Sequence, residues 1–176
     1  ALRRVRLQAP EDHLLQPLGD VRRPRARGHG VPIAYVNQVG GNDTLIFDGG
    51  SMAITPDGKI AAQASAFEED LVLFDTATGQ GEIHVQPAGE LEYAYRALIT
   101  GTRDYVRKCG FRKVLIGLSG GIDSAVVAAL AVEAVGRENV LGVSMPSPFS
   151  SEGSRTDAKK LAENLGIELL SLPLTE

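Results

Sequence analysis

The chain has one cysteine, no tryptophan and only nine aromatic residues of the phenylalanine and tyrosine types in 176 residues. A lone Cys109 excludes an internal disulfide framework and a cysteine-based metal site, and fits a reducing, cytoplasmic setting. No apolar run approaches the ~20 residues of a membrane-spanning helix. The N-terminal Ala1-Leu2-Arg3-Arg4 is followed by no apolar stretch of the kind a secretory leader carries. Basic charge is not in excess either: the formal net charge is −4, which argues against general nucleic-acid binding. A first residue other than Met suggests an internal fragment of a longer protein.

Against these absences stands a normal globular balance, 43% hydrophobic and 23% charged, with twenty glycines that punctuate the chain. Residues 1–30 carry seven arginines, with Pro10, Pro17 and Pro24 breaking any helix, and show no sustained periodicity. They are expected to be poorly ordered and remain unassigned; a basic arm for an anionic partner is the other reading. From Val31 the pattern becomes a meander: a strand over Val31 to Val39, a turn at Gly40-Gly41-Asn42-Asp43, a strand over Thr44 to Phe47, and a strand over Ser51 to Thr55. A hairpin turn follows at Pro56-Asp57-Gly58-Lys59, then strands over Ile60 to Ala66 and Leu71 to Phe74. Residues 77–88 read as a linker, rich in Gly, Gln and Pro.

Glu90 to Cys109 reads as a helix, with Leu91, Tyr95, Leu98, Thr102, Tyr105 and Val106 as its apolar face and Gly110 as its stop. Cys109 is expected to be small and partly buried, since a helix C-terminus disfavours a thiolate. Lys113 to Leu118 reads as a strand and Ile122 to Val135 as a helix. That helix is apolar nearly all round and so deeply packed. Val140 to Ser144 is a second strand. Ser154-Arg155-Thr156-Asp157 resembles a capping box that opens a helix ending at Gly166, and Ile167 to Leu172 is a third strand. The alternation predicts an α/β fold with part of a doubly wound parallel sheet, whose ligand site lies at the carboxyl ends of its strands.

The first strand and helix are joined by Gly117-Leu118-Ser119-Gly120-Gly121-Ile122-Asp123-Ser124. Adjacent glycines permit unusual backbone conformations and close ligand approach. The opening of a helix gathers unpaired N–H groups at the positive end of its dipole, which suits phosphate. Ser119 and Ser124 add hydroxyls. A carboxylate beside phosphate needs a cation between them, so Asp123 reads as a Mg²⁺ ligand. The bland alternative is a strand–helix turn with Ser and Asp as ordinary caps. The Gly-Lys-Ser/Thr ending of the kinase-type P-loop is absent.

These residues resemble the pyrophosphate loop of the ATP pyrophosphatase superfamily, whose members activate a carboxylate or carbonyl as an adenylate that ammonia then displaces. The flanks Asp104-Tyr105-Val106-Arg107-Lys108-Cys109-Gly110-Phe111 and Met145-Pro146-Ser147-Pro148-Phe149-Ser150-Ser151-Glu152-Gly153-Ser154 are similar to the NAD⁺ synthetase family, as are Asp157-Ala158 and Leu161 to Gly166. Val31 to Gly41, Phe47-Asp48-Gly49-Gly50-Ser51 and Pro56-Asp57-Gly58 resemble the later part of a nitrilase-type glutaminase domain. Together the two blocks are similar to glutamine-dependent NAD⁺ synthetase.

The resemblance implies the last strands of a nitrilase-like α/β/β/α sandwich over residues 31–76, the linker, and the N-terminal part of an adenine nucleotide alpha-hydrolase-like ATP-binding domain over 89–176. It implies ATP-dependent amidation of deamido-NAD⁺ with glutamine-derived ammonia in the full-length enzyme, ATP and Mg²⁺ as the bound groups, main chain near Ser144 to Pro146 beside the adenine, and assembly into homo-oligomers through the two helices that flank the loop strand. Small-molecule substrates (ATP, deamido-NAD⁺, glutamine or ammonia) are its partners, with no nucleic acid and no membrane. Ser150, Ser151 and Asp157 match motif positions that local capping explains equally well. The family's glutaminase uses a Glu, a Lys and a Cys before the matched segment. None can be assigned here, so catalytic residues are unknown and turnover by this chain alone is expected to be incomplete. Residues 1–26 do not resemble the family. A GMP synthetase-like amidation and a non-catalytic nucleotide-binding fragment are the alternatives.

Overall fold

The computed structural model describes residues 19–174. In chain order its elements are α1 (Gly19–His29), β1 (Ile33–Tyr35), β2 (Val39–Asn42), β3 (Leu45–Asp48), β4 (Met52–Ile54), β5 (Ile60–Gln63), β6 (Phe74–Asp75), β7 (Gln80–Gly81), α2 (Glu90–Lys108), β8 (Val114–Gly117), α3 (Ile122–Val135), β9 (Val140–Ser144), α4 (Glu152–Leu165) and β10 (Glu168–Ser171). The chain divides into two compact units, and the division does not follow the sequence in one cut. Residues 37–49 and 66–69 join residues 87–176, while the remainder up to Gln86 forms the other unit.

In the first unit β4 is the centre of an antiparallel sheet, order β1-β4-β5. Ile33 pairs with Ile54 and Tyr35 with Met52. All three residues of β4 are buried. Two apolar faces of one strand need two covers, and α1 supplies one through Ala26, which clusters with Met52 and Ile54. This helix is absent from the sequence reading because Pro24 lies inside it. A proline removes one N–H and still leaves the helix where a buried contact outweighs that loss. Residues 1–18 of the stretch expected to be poorly ordered lie outside the described residues.

The Pro56-Asp57-Gly58-Lys59 turn forms as its sequence predicts. Gly58 takes φ +82°, and its N–H donates to Thr55 O at 2.8 Å. The 77–88 stretch is less free than its composition suggests. Gln80 and Gly81 pair with Asp75 and Phe74, and His84 N–H donates to Gln63 O at 2.9 Å. Leu71 and Leu73 stay exposed outside any strand. The strand expected over Val31 to Val39 is likewise broken after Tyr35. The break falls where the chain leaves one unit for the other, and Asn37 there donates its amide to Asp48 at 2.6 Å.

In the second unit β8, β9 and β10 form a parallel sheet with β9 in the centre. Val114 pairs with Val140, and Leu141 with Glu168. Strand order follows chain order, so right-handed crossovers put both helices on one face. Ala128 and Ala131 of α3 and Ala158 and Ala162 of α4 share one core cluster with Ile116, Leu118, Val140 and Ile167. Gly142 lies between them: a Cβ there would meet Leu118 Cδ1 at 2.8 Å and Leu169 Cδ1 at 3.3 Å. On the opposite face Leu115 and Leu170 are exposed. The sheet is thus one half of a doubly wound arrangement.

Two helices differ from expectation in which face they bury. α3 turns its alanines inward and leaves Val126 and Val127 about half exposed, so it is not packed all round. Small side chains let the helix lie close to the sheet, which puts the bulkier valines outside. In α2, Leu91, Tyr95, Leu98 and Tyr105 of the expected apolar face are exposed; Val106 of that face is buried, and so is Thr100, which lies outside it. The inner side of α2 packs on β2, β3 and α3.

Candidate functional site

The loop begins where β8 runs out. Leu118 is buried in the sheet–helix core and its N–H continues the ladder to Val143 O at 2.8 Å. Its side chain therefore anchors the loop rather than lining it. Gly117 is exposed on the face of the sheet away from that core. Ser119, Gly121, Ile122 and Asp123 are exposed, and Gly120 and Ser124 are half-buried.

The two glycines serve different ends. Gly120 has φ +80°, and a Cβ on it would lie 2.3 Å from Ser154 O and 2.7 Å from Ser154 Cα. Both the conformation and the contact with the first turn of α4 exclude any other residue. Gly121 has φ −89° and ψ 161°, ordinary extended backbone. A Cβ on it would meet only Ser119 Oγ, at 3.3 Å. Neither the backbone conformation nor a backbone contact requires glycine there.

The hydroxyls hold the loop in shape. Ser124 Oγ donates to Gly121 O at 2.9 Å and accepts from Ser119 N–H at 3.3 Å. Ser119 Oγ accepts from Gly121 N–H at 3.2 Å and lies 3.1 Å from Ser124 Oγ. With the Ser124 proton on Gly121 O, Ser119 donates to Ser124, and both hydroxyl protons are used within the loop. The backbone N–H groups of the first turn of α3 have no intrahelical acceptor. The positive end of α3 reinforces them. Asp123 is the one acidic residue in that turn, and its side chain is exposed.

The segment after β9 closes one side. Ser147 N–H donates to Ser150 Oγ at 2.9 Å, and the Arg155 guanidinium donates to Ser147 O at 2.8 Å. Ser151 is the N-cap of α4, accepting from Ser154 N–H at 3.1 Å. The helix thus opens three residues before the sequence reading placed it, because the true cap is Ser151 and Ser154 is its partner. Ser144 O and Pro146 O, expected beside an adenine, accept from Leu172 and Leu174 N–H at 2.8 and 2.9 Å. Asp157 is exposed on α4, and Cys109 is exposed at the C-cap of α2 rather than partly buried.

A phosphate-bearing ligand with Mg²⁺ fits these donors. Among the described residues no group of three or more His, Cys, Asp or Glu side chains gathers to hold a metal by itself. Magnesium needs only one or two carboxylates when phosphates complete its octahedron, and Asp123 offers one at the right end of the helix. The sequence reading placed a glycine turn between a strand and a helix here, with Asp123 in the first helical turn, and the structure has both. That reading missed the α4 side: Ser154 against Gly120, and Arg155 holding Ser147. Only the three hydroxyls at Ser150, Ser151 and Ser154 hinted at it.

Residues 94–176 match the family model described as NAD synthase, and residues 20–82 match carbon–nitrogen hydrolase. The chain is 51% identical over 154 residues to the glutamine-dependent NAD(+) synthetase of a Synechocystis species, covering 85% of this chain and 28% of that one. To the enzyme of the same name from Aquifex aeolicus it is 46% identical over 180 residues, covering 82% and 32%. The solved structure of glutamine-dependent NAD⁺ synthetase from Acinetobacter baumannii, in complex with adenosine diphosphate, superposes with a TM-score of 0.81 at 42% identity, over 88% of this chain and 30% of that one. The chain thus spans about a third or less of the length of these relatives.

Proposed function

We propose, from the homology of this chain with the glutamine-dependent NAD(+) synthetases, that it carries the ATP pyrophosphate loop of an enzyme that amidates deamido-NAD⁺ to NAD⁺. In that reaction a carboxylate oxygen of the substrate attacks the α-phosphorus of ATP and the bond to pyrophosphate breaks. Ammonia then attacks the acyl carbon, the bond to AMP breaks, and the nitrogen loses a proton. The relatives do not favour a GMP synthetase-like alternative.

This chain's part is the leaving group. The N–H groups of Gly120 and the first turn of α3 hold pyrophosphate oxygens, and gain strength as charge builds on them during bond breaking. Ser119 and Ser124 keep those N–H groups aimed, through their bonds inside the loop. Arg155 and Ser151 fix the neighbouring turn. Asp123 would hold Mg²⁺, which would neutralise charge on the phosphates. The stripe Leu91, Tyr95, Leu98 and Tyr105 on α2 would carry self-association of the enzyme.

The observation behind the loop assignment is Gly121, a glycine that the fold itself leaves optional. The test is a thermal shift of the 176-residue chain. MgATP at a hundred times its Kd stabilises by ~2.7 kcal/mol, and Asp123→Asn is expected to weaken that binding at least tenfold, ~1.4 kcal/mol. No shift with MgATP, or an unchanged Kd in Asp123→Asn, would refute the assignment.

A further inference from the structure

The hairpin of β2 and β3 falls inside the stretch that matches carbon–nitrogen hydrolase, residues 20–82. Its neighbours, however, belong to the phosphate-loop unit. Three glycines bring the hairpin and α2 into close contact, backbone to backbone between Gly41 and Gly101. A Cβ on Gly40 would lie 2.6 Å from Asp104 Oδ2, one on Gly41 would lie 3.2 Å from Gly101 Cα, and one on Gly101 would lie 2.8 Å from Ile46 Cδ1. A free helix surface has no use for a mid-helix glycine, which costs about 1 kcal/mol relative to alanine.

Directed bonds lie on the same contact. The Asp104 carboxylate accepts from Gly41 N–H at 2.8 Å, and the Lys108 ammonium donates to Gly41 O. Gly41 of the hairpin is thus held at both its N–H donor and its C=O acceptor by side chains one turn apart on α2. At the other end the Tyr93 hydroxyl donates to the Asp48 carboxylate. Asp48 O accepts from Phe67 N–H at 2.8 Å, and the Phe67 ring meets Tyr93 edge-on at 4.7 Å.

We propose that α2 carries a dedicated seat for this hairpin, so that the phosphate-loop unit is completed by a segment of the other sequence module. The occupant is residues 37–49 of this chain, entering and leaving through Val36 and Gly50 of the first unit. Asp104, Lys108 and Gly101 are positioning residues of the seat. The module boundary for folding then lies across the hydrolase-like stretch and not in the 77–88 region. The proposal does not depend on what the loop binds.

Hydrogen–deuterium exchange on the whole chain tests it without nucleotide. Asp104→Ala removes the acceptor. Gly101→Leu is the sharper variant, because leucine favours a helix and here would displace Ile46. In both, the amides of residues 39–48 are expected to exchange about tenfold faster or more, while those of β1, β4 and β5 stay within about twofold. Lys159→Ala, which breaks only an exposed pair 3.9 Å long, serves as control. Unchanged hairpin protection in both variants would overturn the proposal. So would a hairpin that speeds up in step with β1, β4 and β5, since it would then belong to the first unit.

Discussion

Two neighbouring glycines separate stability from ligand binding. Gly120→Ala forces a side chain into φ +80° and onto the Ser154 backbone. It is expected to destabilise the chain by about 2 kcal/mol or more, read as a lowered urea midpoint. Gly121→Ala meets no such obstacle. It is expected to change stability by less than about 1 kcal/mol and to weaken MgATP binding tenfold or more, ~1.4 kcal/mol. If Gly121→Ala binds MgATP as the parent does, an open approach is not the reason for that glycine. The sequence announced both residues but could not tell them apart, because the difference lies in a contact with Ser154, thirty-odd positions away.

At the scale of elements, local chemistry was legible and facing was not. The Thr55-to-Lys59 turn is a local matter, and its electrostatics follow from it. The Asp57 carboxyl is lowered from 3.8 to about 2, first by the Lys59 ammonium and then by the Thr55 hydroxyl. A depressed folded value means that the ionised turn contributes fully above about 3.8 and loses its contribution as the pH falls toward about 2. Both side chains are well exposed, so the effect on stability is small. A carboxyl chemical-shift titration is expected to place the Asp57 midpoint near 2 in the parent and to move it upward in Lys59→Ala. An Asp57 that titrates normally in the parent would show that the turn does not hold Lys59 in place.

The helices show the other side. The bounds of α3 match the expected Ile122 to Val135, and Gly166 ends α4 in the left-handed conformation as its sequence foretold. Yet α2 and α3 bury faces that hydrophobicity alone did not select. In α2 the glycine and aspartate at 101 and 104 face the hairpin while Leu91 and Tyr105 face out. A periodicity counts apolar residues; it does not know that a hairpin can dock on glycine and a carboxylate.

On the whole molecule, the exposed stripe of α2 makes its own prediction. Leu98→Glu and Tyr105→Glu lie on the outer face, so they are expected to leave the chain folded. In sedimentation they are expected to shift the association equilibrium of the parent toward monomer at least tenfold, ~1.4 kcal/mol. A parent that stays monomeric at high micromolar concentration would remove the stripe's proposed role.

Sequence by itself determined the α/β alternation, the order of the two modules, and the loop from Ser119 to Ser124, because each depends on neighbours within a few residues: strand run, glycine turn, helix start. Tertiary structure alone decided that Gly120 rests on α4, that α1 forms despite Pro24, and that a hairpin of one module sits on the first helix of the other. Those outcomes depend on contacts distant in sequence, where close approach of backbones is settled by the absence of a side chain, and an absence has no periodicity to read.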